Sequence, residues 1–344
     1  MSTLGVLTGG GDCPGLNAAI RAVVRGAVDR GYEVIGVRHG WRGLAEGHTV
    51  ELDRSAVAGI LPRGGTILGT TGYDPFREGT VDALISATRY LGLDGVVAIG
   101  GEGTLGVARR LHEEFDYPVV GVPKTIDNDL AGTEFTIGFD TAVHVCTTAI
   151  DRLHTTAESH NRVMVVEVMG RHTGWIAAAS GIAGGADVIF VPEDATPIED
   201  ACDHILARHA RGKNFSIVVA AEGYQLTRRS GEQDEPVVQD VDRYGYVRLG
   251  GIGQVIAKEI NAGTGFETRV TVLGHVQRGG TPTARDRLIA TRLGLHAAEL
   301  VHEGTFGRMT AVIGTEVGDV SLEEATRERR GLPADWIAAG RVVA

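Results

Sequence analysis

Three short apolar runs, each ending in a turn unsuited to a core, constrain this chain more than any other feature. Residues 4–8 open into Gly9-Gly10-Gly11-Asp12-Cys13-Pro14-Gly15-Leu16-Asn17. Gly95-Val96-Val97-Ala98-Ile99 runs into Gly100-Gly101-Glu102-Gly103-Thr104. Val119-Val120-Gly121-Val122 runs into Pro123-Lys124-Thr125-Ile126-Asp127-Asn128-Asp129. The length and β-branched content of these runs are those of buried strands. A helical pattern follows each of the first two turns. A glycine-rich turn from strand to helix gathers backbone N–H groups and a helix N-terminus at one point, which suits phosphate. One such turn says little, because glycine also serves there for steric reasons. Two of them beside an acidic strand end point to one crevice at the carboxyl edge of a parallel sheet. Asp127 and Asp129 cannot both be buried without partners. They face water, with an Asp capping the next helix, or they face a cation and a substrate.

The same alternation runs through most of the chain. The patterns predict strand 4–8, helix 15–29, strand 33–37, helix 80–91, strand 95–99, helix 105–114 and strand 118–122. Helix 139–162 is followed by strand 163–168, helix 173–183, strand 187–191, helix 198–211 and strand 215–221. This βαβ rhythm predicts an α/β fold with parallel sheets. Residues 228–250, with Asp240-Val241-Asp242-Arg243-Tyr244-Gly245, break the rhythm and read as a surface excursion or hairpin. Helix 251–262, strand 269–273, helix 283–303 and a helical tail from Ser321 complete the pattern. Trp41 falls in a loop, where it is either packing or a flat apolar surface for a ligand.

Composition excludes several classes. With 344 residues and 43% hydrophobic content, the chain can bury a sizeable core and is expected to form two domains. Glycine numbers 50 without a G-X-Y period, so the chain is not collagen-like. A net charge of −11, from 33 basic and 44 acidic residues, argues against a general nucleic-acid binder. Cys13, Cys146 and Cys202 are odd in number and far apart, which reads as free thiols in a reducing compartment. The chain begins a strand almost at once with no leader pattern. No 18-residue apolar run offers a membrane span. A cytoplasmic location is the expectation.

Taken in order, the motifs resemble the 6-phosphofructokinases of the bacterial type. The resemblance rests on the three turns above and on four further pieces. These are Gly64-Gly65-Thr66-Ile67-Leu68-Gly69, Val166-Glu167-Val168-Met169-Gly170-Arg171, Ala221-Glu222-Gly223 and Val272-Leu273-Gly274-His275-Val276-Gln277-Arg278-Gly279-Gly280. Together they span roughly residues 4–300. The resemblance implies two similar Rossmann-like three-layer α/β domains with mainly parallel sheets and an active site in the cleft between them. It divides the chain into residues 1–138 plus 277–327, a larger donor-binding domain, and 139–276 plus 328–344, a smaller fructose 6-phosphate-binding domain.

It also implies a chemistry. Asp127 would accept the proton of a sugar hydroxyl as that oxygen attacks the donor phosphate. Asp129, Thr125 and Arg171 would complete the catalytic group. Glu102 stands where the family places a carboxylate that binds Mg²⁺, usually Asp; the alternative for it is an acid complementing a helix dipole. The donor set would be Gly10, Trp41, Gly72, Tyr73, Gly101, Glu102, Gly103, Thr104 and Lys124. The sugar phosphate would meet Thr125, Asp127, Arg162, Met169, Gly170, Arg171, Glu222, Arg269, His275 and Arg278, the guanidinium forks suiting its phosphate. In the family, Arg162 and Arg269 reach into the neighbouring subunit's site. The resemblance therefore implies a homo-oligomer, a tetramer rather than a dimer, with no nucleic-acid or membrane partner.

The donor is the finer question. In this family glycine at position 103 leaves room for the α-phosphate of ATP, whereas Asp there marks pyrophosphate users. At position 124 ATP users have Gly and pyrophosphate users Lys. This chain combines Gly103 with Lys124, and Gly103 decides the expectation in favour of ATP with Mg²⁺. Gly72 stands where the family has an arginine touching donor phosphates, with Lys124, Arg77 or Arg171 as possible substitutes. Arg21, Arg25, Arg54, Arg211 and Lys213 occupy the family's effector positions, with His154 and Asp187 replacing its Arg and Glu. The alternatives are the pyrophosphate-dependent reaction, a related sugar phosphate such as sedoheptulose 7-phosphate, and a catalytically weak nucleotide-binding regulator. A dinucleotide-dependent dehydrogenase lacks its G-x-G-x-x-G fingerprint here.

Overall fold

The structure is a computed structural model that describes residues 2–241 and 247–343. It divides into two compact units, Met1–Thr141 with Arg278–Arg330, and Ala142–Gln277 with Gly331–Ala344. The sequence reading expected divisions after residues 138, 276 and 327. The first unit begins with β1 (Thr3–Thr8), α1 (Leu16–Asp29), β2 (Glu33–Val37), α2 (Gly40–Glu46) and β3 (Thr49–Glu51). It continues with α3 (Pro75–Glu78), α4 (Val81–Tyr90), β4 (Leu93–Gly100), α5 (Glu102–Phe115) and β5 (Val119–Pro123). Helix α6 (Phe139–His160) leads into the second unit: β6 (Val163–Val168), α7 (Trp175–Ala183), β7 (Val188–Phe190), α8 (Ile198–Ala210) and β8 (Ser216–Ala221). Then follow β9 (Val238–Val241), β10 (Val247–Leu249), α9 (Ile252–Thr264), β11 (Thr268–Val272) and a 3-10 turn, Gly274–Arg278. The first unit resumes with α10 (Ala284–His302), β12 (Arg308–Ile313), β13 (Glu316–Ser321) and α11 (Leu322–Arg327). Helix α12 (Ala334–Val343) returns to the second.

The first unit is a seven-stranded sheet in the order β13-β12-β5-β4-β1-β2-β3. Its five inner strands are parallel, and both edge strands, β13 and β3, are antiparallel. A strand covered on both faces needs an unbroken apolar run, and β4 supplies it. Val96, Val97, Ala98 and Ile99 are all fully buried, each larger side chain contributing roughly 1.5–3 kcal/mol relative to exposure. Helices α2, α4, α5 and α11 share the core on one face, while α1 and α10 pack together on the other. The chain leaves β1 through α1 toward β2, but leaves β4 through α5 toward β5. The order therefore reverses between β1 and β4, and their carboxyl ends form the switch point where open α/β sheets bind ligands.

The second unit is a four-stranded, wholly parallel sheet, β11-β6-β8-β7. Every residue of β6 and β8 is buried. Helices α8 and α9 pack on one core that includes Phe190 against Tyr224, their rings tilted at 34° with centroids 4.7 Å apart. Trp175 of α7 meets Trp336 of α12 edge-on at 5.3 Å.

Several local expectations are corrected. Trp41 lies in helix α2, not in a loop. Helix α5 starts at Glu102, so three of the five residues of the second glycine-rich turn lie in a helix's first turn. The pair β12–β13 went unread although Gly314, at φ 61°, marks the tight connection between them. The tail from Ser321 is two helices, interrupted around Gly331 and Pro333, where the chain loses helical propensity. The hairpin expected in 228–250 is present as the antiparallel pair β9–β10, and its Asp242-Arg243-Tyr244-Gly245 segment lies outside the described residues.

The start of α6 depends on one buried acid. Asp286, in the first turn of α10, accepts hydrogen bonds from Gly138 N–H at 2.9 Å and from Thr141 N–H and hydroxyl at 2.8 and 2.5 Å. Thr283 caps α10 by accepting Asp286 N–H at 3.2 Å and donates its hydroxyl to Asp140. Two helix N-termini thus satisfy each other's orphan donors. Burial pushes the Asp286 carboxyl up to about 6, outweighing its three donors. Replacing Asp286 by Ala would strand those donors in the core. At about 1–3 kcal/mol for each unsatisfied group, urea unfolding of Asp286→Ala should show a loss of about 3 kcal/mol or more. Asp286→Asn, which keeps one acceptor, should lose less.

Candidate active site

The two glycine-rich turns meet at the switch point. Gly9 N–H donates to Ile99 O at 3.0 Å, joining the end of β1 to the end of β4. A Cβ on Gly9 would lie 2.4 Å from Thr104 Oγ1, so only glycine lets the turns approach this closely. Thr104 itself is buried, and its carbonyl accepts the Trp41 indole N–H at 3.2 Å. Trp41 is 2% exposed within the core. Both residues therefore pack the turns together. The sequence reading expected both as donor contacts, Trp41 as a flat ligand surface; in the structure their side chains lie within this packing. Gly10, at φ 78°, donates its N–H to Thr71 O at 2.9 Å and accepts from Thr70. Its amide is engaged by the protein, not open to phosphate. Gly72 and Tyr73 follow that segment; the Tyr73 hydroxyl is held by Thr80 at 2.7 Å, and its ring packs on the core.

Lys124 crosses the switch point. From the end of β5 its ammonium reaches Gly9 O at 2.9 Å and Gly11 O at 2.5 Å, and the residue is 2% exposed. Burial lowers its pKa, partly offset by Asp12 and Asp127. Arg278 lies over the same turn, donating to Asp12 O at 3.2 Å. The structure thus brings Arg278, expected to meet the sugar phosphate, to the turn after β1.

The acidic loop is built around Asn128. That residue is 1% exposed and left-handed at φ 51°. Its side chain accepts Thr136 N–H at 3.0 Å and donates to Glu134 O at 3.2 Å. With Asn128 turned inward as the brace, its neighbours Asp127 and Asp129 remain partly exposed. Thr125 Oγ1 accepts Asp127 N–H at 3.1 Å. Burial and the charge of Asp127, with Glu102 adding to them, push the Asp129 carboxyl up to about 7. Asp127, Asp129 and Glu102 therefore share one region of negative potential at the carboxyl ends of β4 and β5. Glu102 and Gly103 are the first two residues of the 14-residue helix α5, whose N-cap is Gly101. Their N–H groups belong to those with no partner inside the helix.

Sequence reading missed Arg329. Its Nε and Nη2 lie 2.9 and 2.8 Å from Glu102 Oε2. The backbone around it is pinned to the acidic loop by a bridge between Leu130 and Arg329 and by Arg330 N–H donating to Asp129 O at 2.8 Å. The cluster Arg327-Glu328-Arg329-Arg330 before Gly331 was the available signal, but it read as the charged face of a tail helix.

The second unit carries the other predicted residues in two groups. Met169, Gly170, Arg171 and Glu222 follow the carboxyl ends of β6 and β8. Gly223 N–H donates to Gly170 O at 3.0 Å, and a Cβ on Gly223 would lie 2.0 Å from Arg171 O. Met169 N–H donates to Gln277 at 3.2 Å, near the exposed His275. Glu167 is buried and accepts Gly251 and Gly253 N–H, which makes it a brace for α9. Arg162 and Arg269 lie at the opposite, amino edge, where both pair with Glu267. The six residues of β6 separate the groups by about 20 Å, so one chain does not bring them together.

Three of the seven effector positions are engaged by neighbours within the chain. Asp187 is buried against Arg208 at 2.9 Å, His154 meets Gly184 O at 2.7 Å, and Arg54 pairs with Asp29. Among the described residues no group of three or more His, Cys, Asp or Glu is arranged to hold a metal ion. Among the described residues no helix is long and apolar enough to cross a membrane.

Comparison with known proteins bears on this arrangement. The family model described as Phosphofructokinase matches residues 3–301. The chain is 56% identical over 327 residues to the pyrophosphate–fructose 6-phosphate 1-phosphotransferase of Streptomyces coelicolor, covering 94% of each. It is 53% identical over 333 residues to ATP-dependent 6-phosphofructokinase 3 of the same organism, covering 96% of each. Among solved structures, phosphofructokinase from Saccharomyces cerevisiae matches with a TM-score of 0.81 at 32% identity, over 95% of this chain and 45% of that one. The fold of the pyrophosphate-dependent enzyme from Marinobacter aquaeolei matches with a TM-score of 0.82 at 24% identity, over 97% of this chain and 86% of that one. By its motifs, its sheet order and these matches, the chain belongs to the phosphofructokinase family.

Proposed function

We propose that the protein is an ATP-dependent 6-phosphofructokinase, transferring the γ-phosphoryl group of ATP to O1 of fructose 6-phosphate. The observation that carries the choice of donor is the state of Lys124. As the one residue that points to pyrophosphate, it is buried with its ammonium held by two carbonyls of the β1 turn, which supports a bracing role. Gly103, exposed in the first turn of α5, offers N–H groups and space to an α-phosphate. Asp127 takes the hydroxyl proton as the sugar oxygen attacks. Magnesium fits the donor chemistry of Glu102 and Asp129, because this hard ion takes one or two carboxylates and completes its shell with water and phosphate; when bound it supplies positive charge to the phosphate oxygens. Arg171, Glu222 and Met169 orient the sugar. The separation of Arg162 and Arg269 from Glu222 by the length of β6 supports a homo-oligomer in which those arginines serve a neighbouring copy's site.

Three outcomes test this reading. Asp127→Ser should lower kcat by at least about 10²-fold, the low end for a general base, while fructose 6-phosphate affinity, measured by calorimetry, stays close to that of the wild type. Near-native turnover would remove Asp127 from the role.

The second concerns pH. Because Asp129 is raised to about 7, its carboxyl is neutral below that pH and ionised above it. If the ionised form serves donor binding, kcat/KM for ATP rises as pH increases through about 7, since that ratio reports free-enzyme ionisations. Asp129→Asn should lack this limb in its residual activity. A wild-type profile flat from pH 6 to 8 would contradict the assignment.

The third fixes the donor. Asp at position 103 would set a carboxylate within a few ångströms of a phosphate, costing on the order of several kcal/mol at an effective dielectric near 20. With about 1.4 kcal/mol per tenfold, Gly103→Asp should cut kcat/KM for ATP by ~10²-fold or more and pyrophosphate efficiency by less. A wild type that prefers pyrophosphate would overturn the choice of ATP, in keeping with the name of the 56% identical relative.

A further inference from the structure

The acidic end of the first unit presents a physical problem that Lys124 does not solve. Glu102, Asp127 and Asp129 lie together at the place where the proposed reading sets a polyanionic donor, and the Lys124 ammonium is already bonded to Gly9 and Gly11. Besides Lys124 and Arg278 a further cation is present. Arg329 enters from the segment between α11 and α12 and lays its guanidinium on the first residue of α5. Its backbone is fixed by the bridge to Leu130 and by its neighbour's N–H on Asp129 O, so the side chain is delivered to this spot by the fold. The pair it forms is loosely held. Both bonded nitrogens share the single oxygen Oε2 of Glu102, and the side chains are 44% and 46% exposed. Such solvent-exposed pairs contribute little net stability. The guanidinium fork is also the group best shaped to grip phosphate through two parallel bonds.

We propose that Arg329 is a donor-binding residue: on donor binding its guanidinium exchanges from Glu102 to the donor's phosphate oxygens, freeing Glu102 Oε2. Charge is conserved in the exchange, with a carboxylate partner replaced by a phosphate and no proton moved. The inference rests on the donor site proposed above but not on which donor is used, because ATP and pyrophosphate share the phosphate chemistry. It makes the C-terminal segment of the first unit part of the site, and it provides the donor-side arginine that Gly72 does not.

The test is calorimetric binding of magnesium-ATP and of magnesium-pyrophosphate to the full-length protein, with thermal unfolding of each variant as a folding control. Arg329→Ala should weaken whichever donor the wild type binds by ~10-fold or more, with fructose 6-phosphate affinity unchanged. Arg329→Lys should recover part of the loss, since it keeps the charge without the fork. Arg330→Ala, which alters the adjacent side chain bonded to Glu134 O, should leave donor affinity within about twofold. Donor affinity unchanged in Arg329→Ala, or improved in it, would overturn the proposal; improvement would mean that Arg329 competes for Glu102. Equal losses in Arg329→Ala and Arg330→Ala would also overturn it, because the segment rather than the guanidinium would then be responsible. Binding of pyrophosphate alone by the wild type would overturn the ATP reading and leave Arg329 to be judged on pyrophosphate. Binding of neither donor would overturn both.

Discussion

A buried ammonium ties the carboxyl edge of the larger sheet together. Lys124 leaves β5, passes the end of β4 and ends on two carbonyls of the turn after β1. A charged group removed from water is tolerated only when it is fully partnered. The turn must therefore keep Gly9 O and Gly11 O aimed inward. That requirement fixes the turn's path, and the path in turn requires glycine at position 9, where a side chain would collide with Thr104. The two glycine-rich turns and the acidic loop thus form one rigid floor. Burial lowers the Lys124 pKa while Asp12 and Asp127 raise it, so the same contacts that hold the floor also tune its charge.

The floor makes a steep division of sign. Carbonyls and the Lys124 ammonium are satisfied within the protein, whereas the three acids at the ends of β4 and β5 are not evenly matched. Asp129 responds with a carboxyl raised to about 7. Arg329 answers Glu102 from the far end of the unit's sequence, 227 residues away. In the second unit a comparable economy of charge is seen at the amino edge of the sheet, where one carboxylate, Glu267, meets both Arg162 and Arg269 and is held below the usual carboxylate range by Arg162. The pairing holds both guanidinium groups at the amino edge, separated from Met169 and Glu222 by the strand between them.

Much of the core was legible because its signal is local. A parallel strand buried on both faces must be a continuous apolar run, and the runs at β1, β4, β5, β6 and β8 were read within one or two residues at nearly every end. The alternation of those runs with helical patterns gave the α/β class directly. Short elements such as α2 and β3 were not legible, since seven and three residues are too few for a period to emerge. The acidic loop was read correctly as unfit for a core, but the role of Asn128 was not. A left-handed brace between two acids looks in sequence like one more polar residue.

The sequence by itself determined which chemistry is on offer: the strand ends, the glycine turns, the paired acids and the family they belong to. It could do so because strand burial and turn geometry depend on neighbours along the chain. Tertiary structure alone decided how that chemistry is allotted. Trp41 and Thr104 were drawn into packing, Lys124 became a brace, Asp286 became the cap of a distant helix, and Arg329 arrived at Glu102. Each of these outcomes depends on a partner between 63 and 227 residues away, or on a chain-distant carbonyl. Which polar atom finds which partner is settled only when the sheet order brings the strand ends side by side, because an unsatisfied buried polar group is costly wherever its partner lies in the chain.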